Sequence, residues 1–187
     1  MADPAFIVEG KQEKLVINRI CPGKRVILLG INNSDVEMKA IATRIYAHFQ
    51  NLGNRHHPVV VIFDREKRNK SCDSLNTELR FHLNKLGIKE DQLIICIADR
   101  SLESWIAPFL QDDGSINTNL VPQKNYEGIV CESIIIRQLR KANIDYDKTT
   151  VGVDLFCSIS PKKLAEISPS FSQLRKALLD ICHWMNM

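Results

Sequence analysis

The apolar run Val59-Val60-Val61-Ile62-Phe63 breaks off into Asp64-Arg65-Glu66-Lys67-Arg68, two acids and three bases in five positions. Further acids occupy comparable places. Glu9 follows Ala5-Phe6-Ile7-Val8, Asp99 follows a run that begins at Leu93, and Glu103 lies one helical turn beyond Asp99. Carboxylates held close together repel, and each disfavours ionisation of the next. Their simplest neutraliser is a divalent cation, and a ligand set made of oxygens alone suits Mg²⁺ or Mn²⁺ rather than Zn²⁺. Such an ion polarises a phosphoryl oxygen or generates a hydroxide. Acids for metal beside bases for phosphate is the composition a phosphodiester site needs. On this reading Glu9, Asp64, Glu66, Asp99 and Glu103 are the acids such a cation would draw together. Lys11 and Arg65 offset charge on the phosphate, and Lys67, Arg68 and Lys70 contact nucleic acid. Apart from Glu9 and Asp64, which each directly follow a buried run, these acids also have a plainer reading as polar strand ends or helix caps. Glu66 then pairs with Arg68 or Lys70, Glu103 faces Arg100, and Glu13, one turn beyond Glu9, is a solvated helix residue.

For these acids to meet, the runs before them must be neighbouring strands. Ala5-Phe6-Ile7-Val8, Arg25-Val26-Ile27-Leu28-Leu29-Gly30, Val59–Phe63 and Leu93–Ile97 are short, β-branched and apolar without alternation, the pattern of strands buried on both faces. Between them lie three stretches with helical spacing: Gln12 to Ile20, Asp35 to Leu52 with Ile41, Ile45 and Phe49 on one face, and a third carrying Leu75, Leu79, Leu83 and Leu86. Asn32-Asn33-Ser34 supplies side chains able to cap the second of them. The βαβαβαβ alternation predicts an α/β fold, a Rossmann-like parallel sheet of about four strands flanked by helices. Glu9, Asp64 and Asp99 then fall at the carboxyl ends of strands, where such sheets bind ligands.

After Ser101, a potential cap for a short helix to about Leu110, regularity falls. Gly128 to Ala142 reads as a helix, and Pro161-Lys162-Lys163 and Ser168-Pro169-Ser170 read as two more helix starts. The division expected is an α/β domain over residues 1–110 and a helical C-terminal extension over 111–187 packed on the same core. His56-His57 precedes the third strand and belongs at the sheet end away from the acids. Trp105 is expected to be buried rather than to stack a base. Tyr146-Asp147-Lys148 is basic enough to bracket a phosphate but reads more simply as solvated surface.

The 187 residues carry 25 Lys and Arg against 22 Asp and Glu, a net charge of +3, which permits a nucleic-acid partner without arguing for one. The 44% hydrophobic content is that of an ordinary globular domain, and no apolar run approaches membrane-spanning length. The six cysteines, Cys21, Cys72, Cys96, Cys131, Cys157 and Cys182, form no CxxC pair. With no secretory leader apparent, the expectation is six reduced thiols in a cytoplasmic protein.

The strand ending Phe6-Ile7-Val8-Glu9-Gly10, Gly30 closing the second strand, and Asp64-Arg65-Glu66 after the third resemble the Toprim domain over roughly residues 5–110. Phe63-Asp64-Arg65-Glu66-Lys67-Arg68, Asp99-Arg100-Ser101-Leu102-Glu103-Ser104-Trp105 and Ser168-Pro169-Ser170-Phe171 extend the likeness to small bacterial Toprim-like proteins of the OLD nuclease type, several associated with phage or mobile-element defence. The resemblance implies a Mg²⁺- or Mn²⁺-dependent nuclease acting on DNA or RNA. It gives Glu9 the acid/base place, Asp64 and Glu66 the metal pair, and Asp99 and Glu103 a second ligand set. It also implies an ATPase or another defence protein as partner and leaves self-association open. Glu66 stands where the family prefers aspartate, which changes the bite of the pair. Two other functions compete. One is a catalytically weak module whose acidic rim binds and regulates a partner. The other is a receiver-like switch phosphorylated on Asp64, which lacks the expected hydroxyl and lysine on later strands.

Overall fold

The computed structural model describes residues 3–31, 35–111, 113–117 and 126–187. Strands β1 (Ala5–Val8), β2 (Arg25–Leu28), β3 (Val59–Asp64) and β4 (Leu93–Ala98) form one parallel sheet in the order β2-β1-β3-β4. Helices α1 (Lys11–Ile20), α2 (Met38–Leu52) and α3 (Cys72–Lys85) connect them. Then come α4 (Glu103–Ile106), α5 (Glu132–Lys141), α6 (Val151–Ser158), α7 (Pro161–Ile167) and α8 (Pro169–Leu178). The α/β reading, the four parallel strands and the helical C-terminal extension are those the sequence predicts.

Strand side chains point alternately to the two faces, and each face has its own cover. Ala5, Ile7, Val59, Val61, Phe63, Ile95 and Ile97 pack against Ile41 and Ile45 of α2 and Leu75, Leu79 and Leu83 of α3. Phe6, Val8, Val60, Ile62, Cys96 and Ala98 pack against Val16 and Ile17 of α1 and against the C-terminal helices. The extension therefore has no separate core. With α1 it covers one face of the sheet, where Phe156 and Phe171 surround Trp105 and Phe171 meets Trp105 edge to face at 5.2 Å. Trp105 is buried, as expected, and its indole N–H donates to Ser170 Oγ at 3.0 Å.

Several details differ from the sequence reading. The second helix begins at Met38 rather than Asp35, and the proposed cap Asn32-Asn33-Ser34 lies outside the described residues. The fifth begins at Glu132 rather than Gly128, whose φ of +80° is a turn conformation. Helix α6 is unforeseen. Its Val151-Gly152-Val153 start has weak helix propensity, and burial of Val153 and Phe156 in the shared core sustains it instead.

The cysteine expectation needs correction. Cys21, at the end of α1, and Cys182, beyond α8, are joined in a disulfide with Cα atoms 5.0 Å apart across 161 residues of chain. Cys72, Cys96, Cys131 and Cys157 are free. Local spacing says nothing about two residues brought together only when the C-terminal segment closes over α1. The expected cytoplasmic setting rested in part on six reduced thiols, and that part of its ground is removed. Among the described residues, no helix is long and apolar enough to cross a membrane.

Candidate functional site: an acidic crevice at the strand ends

Strand order places the switch point between β1 and β3. One crossover from this pair leads outward to β2 and the other to β4, which opens a crevice at the carboxyl ends. Val8 is in register with Ile62, so Glu9 comes off β1 opposite Phe63, one residue before Asp64 ends β3. The Glu9 N–H donates to Ile62 O at 3.1 Å, and the Glu9 carboxylate accepts the Asp64 N–H. Two of the acids the sequence placed on one rim, Glu9 and Asp64, are thus neighbours.

Glu13 joins them. It stands at the third position of α1 and folds back to accept the Gly10 N–H at 2.9 Å. A Cβ on Gly10 would lie 2.9 Å from that Glu13 oxygen, so the Glu-Gly pair fits the return of Glu13. Glu13 is 8% exposed, not a solvated helix residue. Glu103, in the first turn of α4, is 2% exposed and closes the crevice from the β4 side. Its Oε1 accepts from Tyr146 Oη at 3.1 Å and faces Lys148 Nζ at 3.3 Å, while Lys148 also reaches Glu132 Oε2 at 3.1 Å. Lys148 and Tyr146 arrive on a turn held by Asp147, whose carboxylate accepts the N–H and hydroxyl of both Thr149 and Thr150. At Gly152, just after this turn, a Cβ would collide with Gln12 and Tyr146 at 2.7 and 2.9 Å.

Burial and mutual repulsion set the protonation of these groups. Loss of water raises the Glu9 carboxyl to about 8. The Asp64 N–H opposes this, Glu13 and Glu66 add to it, and Arg68 pulls it down. Burial raises Glu13, with Glu103 adding to the rise and backbone N–H groups and Lys148 opposing it. Asp64 is lifted well above the carboxylate range, first by burial and then by Glu13, Glu9, Glu103 and Glu66. Burial also raises Tyr146, and Glu103 adds to it. Burial alone would lower Lys148, but Glu103 and Glu132 hold its ammonium above the usual value.

The remaining expected site residues are distributed differently. Asp99 pairs with Arg65 Nε instead of completing the carboxylate set. Arg65 also donates from Nη1 to Arg68 O at 2.9 Å, so its guanidinium is committed to the loop. This pair lines a separate depression of about 410 Å³ with Cys72, Glu127 and Ser170. Lys11 is exposed at the start of α1. Lys67, Arg68 and Lys70 line an open groove of about 870 Å³ between the start of α2 and α3, with Lys39, Glu37 and His82. Lys70 pairs there with Glu78 at 2.7 Å. His56 lies within 3.1 Å of Asp3 O, at the sheet end away from the acids, as expected.

Among the described residues, no three His, Cys, Asp or Glu side chains converge closely enough to hold a metal ion as they stand. The donor chemistry fits one nonetheless. Every acid in the crevice offers only oxygen donors, and neighbouring carboxylates raise Glu9, Glu13 and Asp64 further than burial alone, a repulsion that a bound cation would relieve. Sequence reasoning undervalued Glu13 and set Tyr146 and Lys148 aside as surface. The Gly10 to Glu13 spacing is a local signal for the first, and no local signal exists for the other two. Comparison of the chain with protein-family models, curated proteins and solved structures finds no significant match.

Proposed function

We propose that the chain is a Mg²⁺- or Mn²⁺-dependent hydrolase of nucleic-acid phosphodiesters. The observation that carries this reading is the gathering of Glu9, Glu13, Asp64 and Glu103 at one crevice, where loss of water first and neighbouring carboxylates second raise Glu9, Glu13 and Asp64 above the ordinary carboxylate range. A divalent cation would supply Lewis-acid polarisation of a phosphoryl oxygen and of water. Asp64, Glu66 and Glu103 are the residues that would hold it. Glu9, fixed by the Asp64 N–H and titrating near neutrality, is placed to take or return a proton. Lys67, Arg68 and Lys70 line the adjoining groove and would orient the phosphate backbone. The Toprim resemblance supports the same chemistry and, by itself, extends the proposal to defence against phage or mobile elements beside a partner ATPase.

The expected outcome is that Mn²⁺ raises the melting temperature of the native chain and leaves Asp64→Ala unmoved. The native chain should then cut plasmid, single-stranded DNA or RNA in Mn²⁺, and Glu9→Gln should spare them. A native chain whose melting point ignores both ions would defeat the proposal. One observation favours a second reading, a regulatory module without catalysis. Lys148 and Arg65 already pair with two of the acids, Glu103 and Asp99. Metal binding without cleavage of any of the three substrates is the result that reading expects.

A further inference from the structure

Beside the crevice two non-glycine residues face each other with left-handed backbones, Glu66 at φ +56° and Arg100 at φ +77°. An L side chain there crowds its own backbone, and glycine is the residue such positions usually take. Strain of this kind persists only where the surroundings enforce it. The enforcement is reciprocal. The Glu66 N–H donates to Arg100 O at 3.0 Å, and Arg100 Nη1 donates to Glu66 O at 2.8 Å. Arg100 Nε is anchored in turn on Gly128 O at 3.1 Å. Immediately before this clasp, Arg65 N–H donates to Ala98 O at 2.8 Å, extending the β3–β4 ladder by one bond. The loops after the two strands are therefore locked edge to edge, and the direction of the Glu66 side chain is a consequence of the lock. In an extended backbone its Cβ would leave along a different vector. As it stands, the Glu66 carboxylate lies close enough to Glu9 and Asp64 for its charge to act on both.

We infer that Arg100 is a positioning residue: its guanidinium and carbonyl clasp the strained backbone of Glu66 so that the Glu66 carboxylate is presented to the proposed cation site beside Asp64. This rests on the metal-dependent reading above and adds a residue to it. It also explains why glutamate occupies a place that favours glycine, since glycine has no ligand to present.

The test has a metal-free arm and a metal arm. Without metal, Glu66→Gly should melt above Glu66→Ala by about 2–4 °C, because only glycine relaxes at this φ. The opposite order would show that no strain is held there and would overturn the inference. With Mn²⁺ titrated calorimetrically, Arg100→Lys should weaken binding by about tenfold, since lysine keeps the charge and loses the two-point grip. In a Glu66→Gln background the same change should alter affinity by no more than about twofold. Equal losses in both backgrounds would make Arg100 a purely structural residue and overturn the inference while leaving the metal site intact. A native chain that binds no Mn²⁺ would instead remove the metal-dependent reading itself, and the positioning role with it.

Discussion

The Glu9 carboxyl moves from its ordinary 4.5 to about 8 on folding, chiefly because it loses water. Between those values the folded chain holds a proton that the unfolded chain has released. This contribution to metal-free stability is therefore complete below about pH 4.5 and is lost as pH climbs through 8. Thermal melts in chelator should fall from about pH 5 to pH 8 for the native chain, and Glu9→Gln should flatten that slope. A native profile that rises over this range would contradict the assignment. Lys148 tests the opposite side of the same balance. Its side chain, itself 45% exposed, is the ionic partner of a Glu103 side chain that is 2% exposed. Lys148→Met should cost about 1–2 kcal/mol in urea denaturation, below the range for breaking a fully buried pair because water still screens the lysine.

At the scale of elements, the crevice depends on helices held from outside it. Helix α1 carries Gln12 and Glu13 into the site, and its far end is tied to Cys182. Alkylation of the unfolded, unreduced chain should label four of the six cysteines. Replacing Cys21 and Cys182 by serine should cost roughly 2–4 kcal/mol in denaturant midpoint analysis, within the usual range for a long closed loop. Six labelled thiols would rule the cross-link out. Helix α6 shows the same dependence, for Val153 and Phe156 hold it in a core provided by β1, β3 and α8. Its turn then delivers Tyr146 and Lys148 to Glu103.

Over the whole molecule, the two halves of the chain share one sheet. The face with Phe6, Val8, Val60 and Ile62 is closed by α1 together with Trp105, Phe156, Phe171 and Leu174. Residues 1–110 alone would leave most of that surface in water, at about 25 cal/mol for each Å² exposed. A fragment of residues 1–110 should therefore be aggregated or lack a cooperative melt, whereas the full-length protein should melt in one transition. An independent cooperative melt of the fragment would show that the extension is dispensable to the core. The boundary near residue 110 marks a change in sequence pattern, and one buried cluster runs across it.

The strands, the first three helices and the starts of α7 and α8 were legible in sequence because they depend on local periodicity, on proline and glycine, and on unbroken β-branched runs. The same local rules placed Glu9 and Asp64 at strand ends, and a parallel sheet brings such ends to one edge. What decided the rest was the order β2-β1-β3-β4 and the closure of the C-terminal helices over one face. Those steps paired Asp99 with Arg65, Cys21 with Cys182, and Glu103 with a tyrosine 43 residues away. They also buried Glu13, which a helix alone would have left in water. The physical reason is range: backbone preference is set by a few neighbouring residues, whereas charge pairing and desolvation depend on every surface that folding brings into contact.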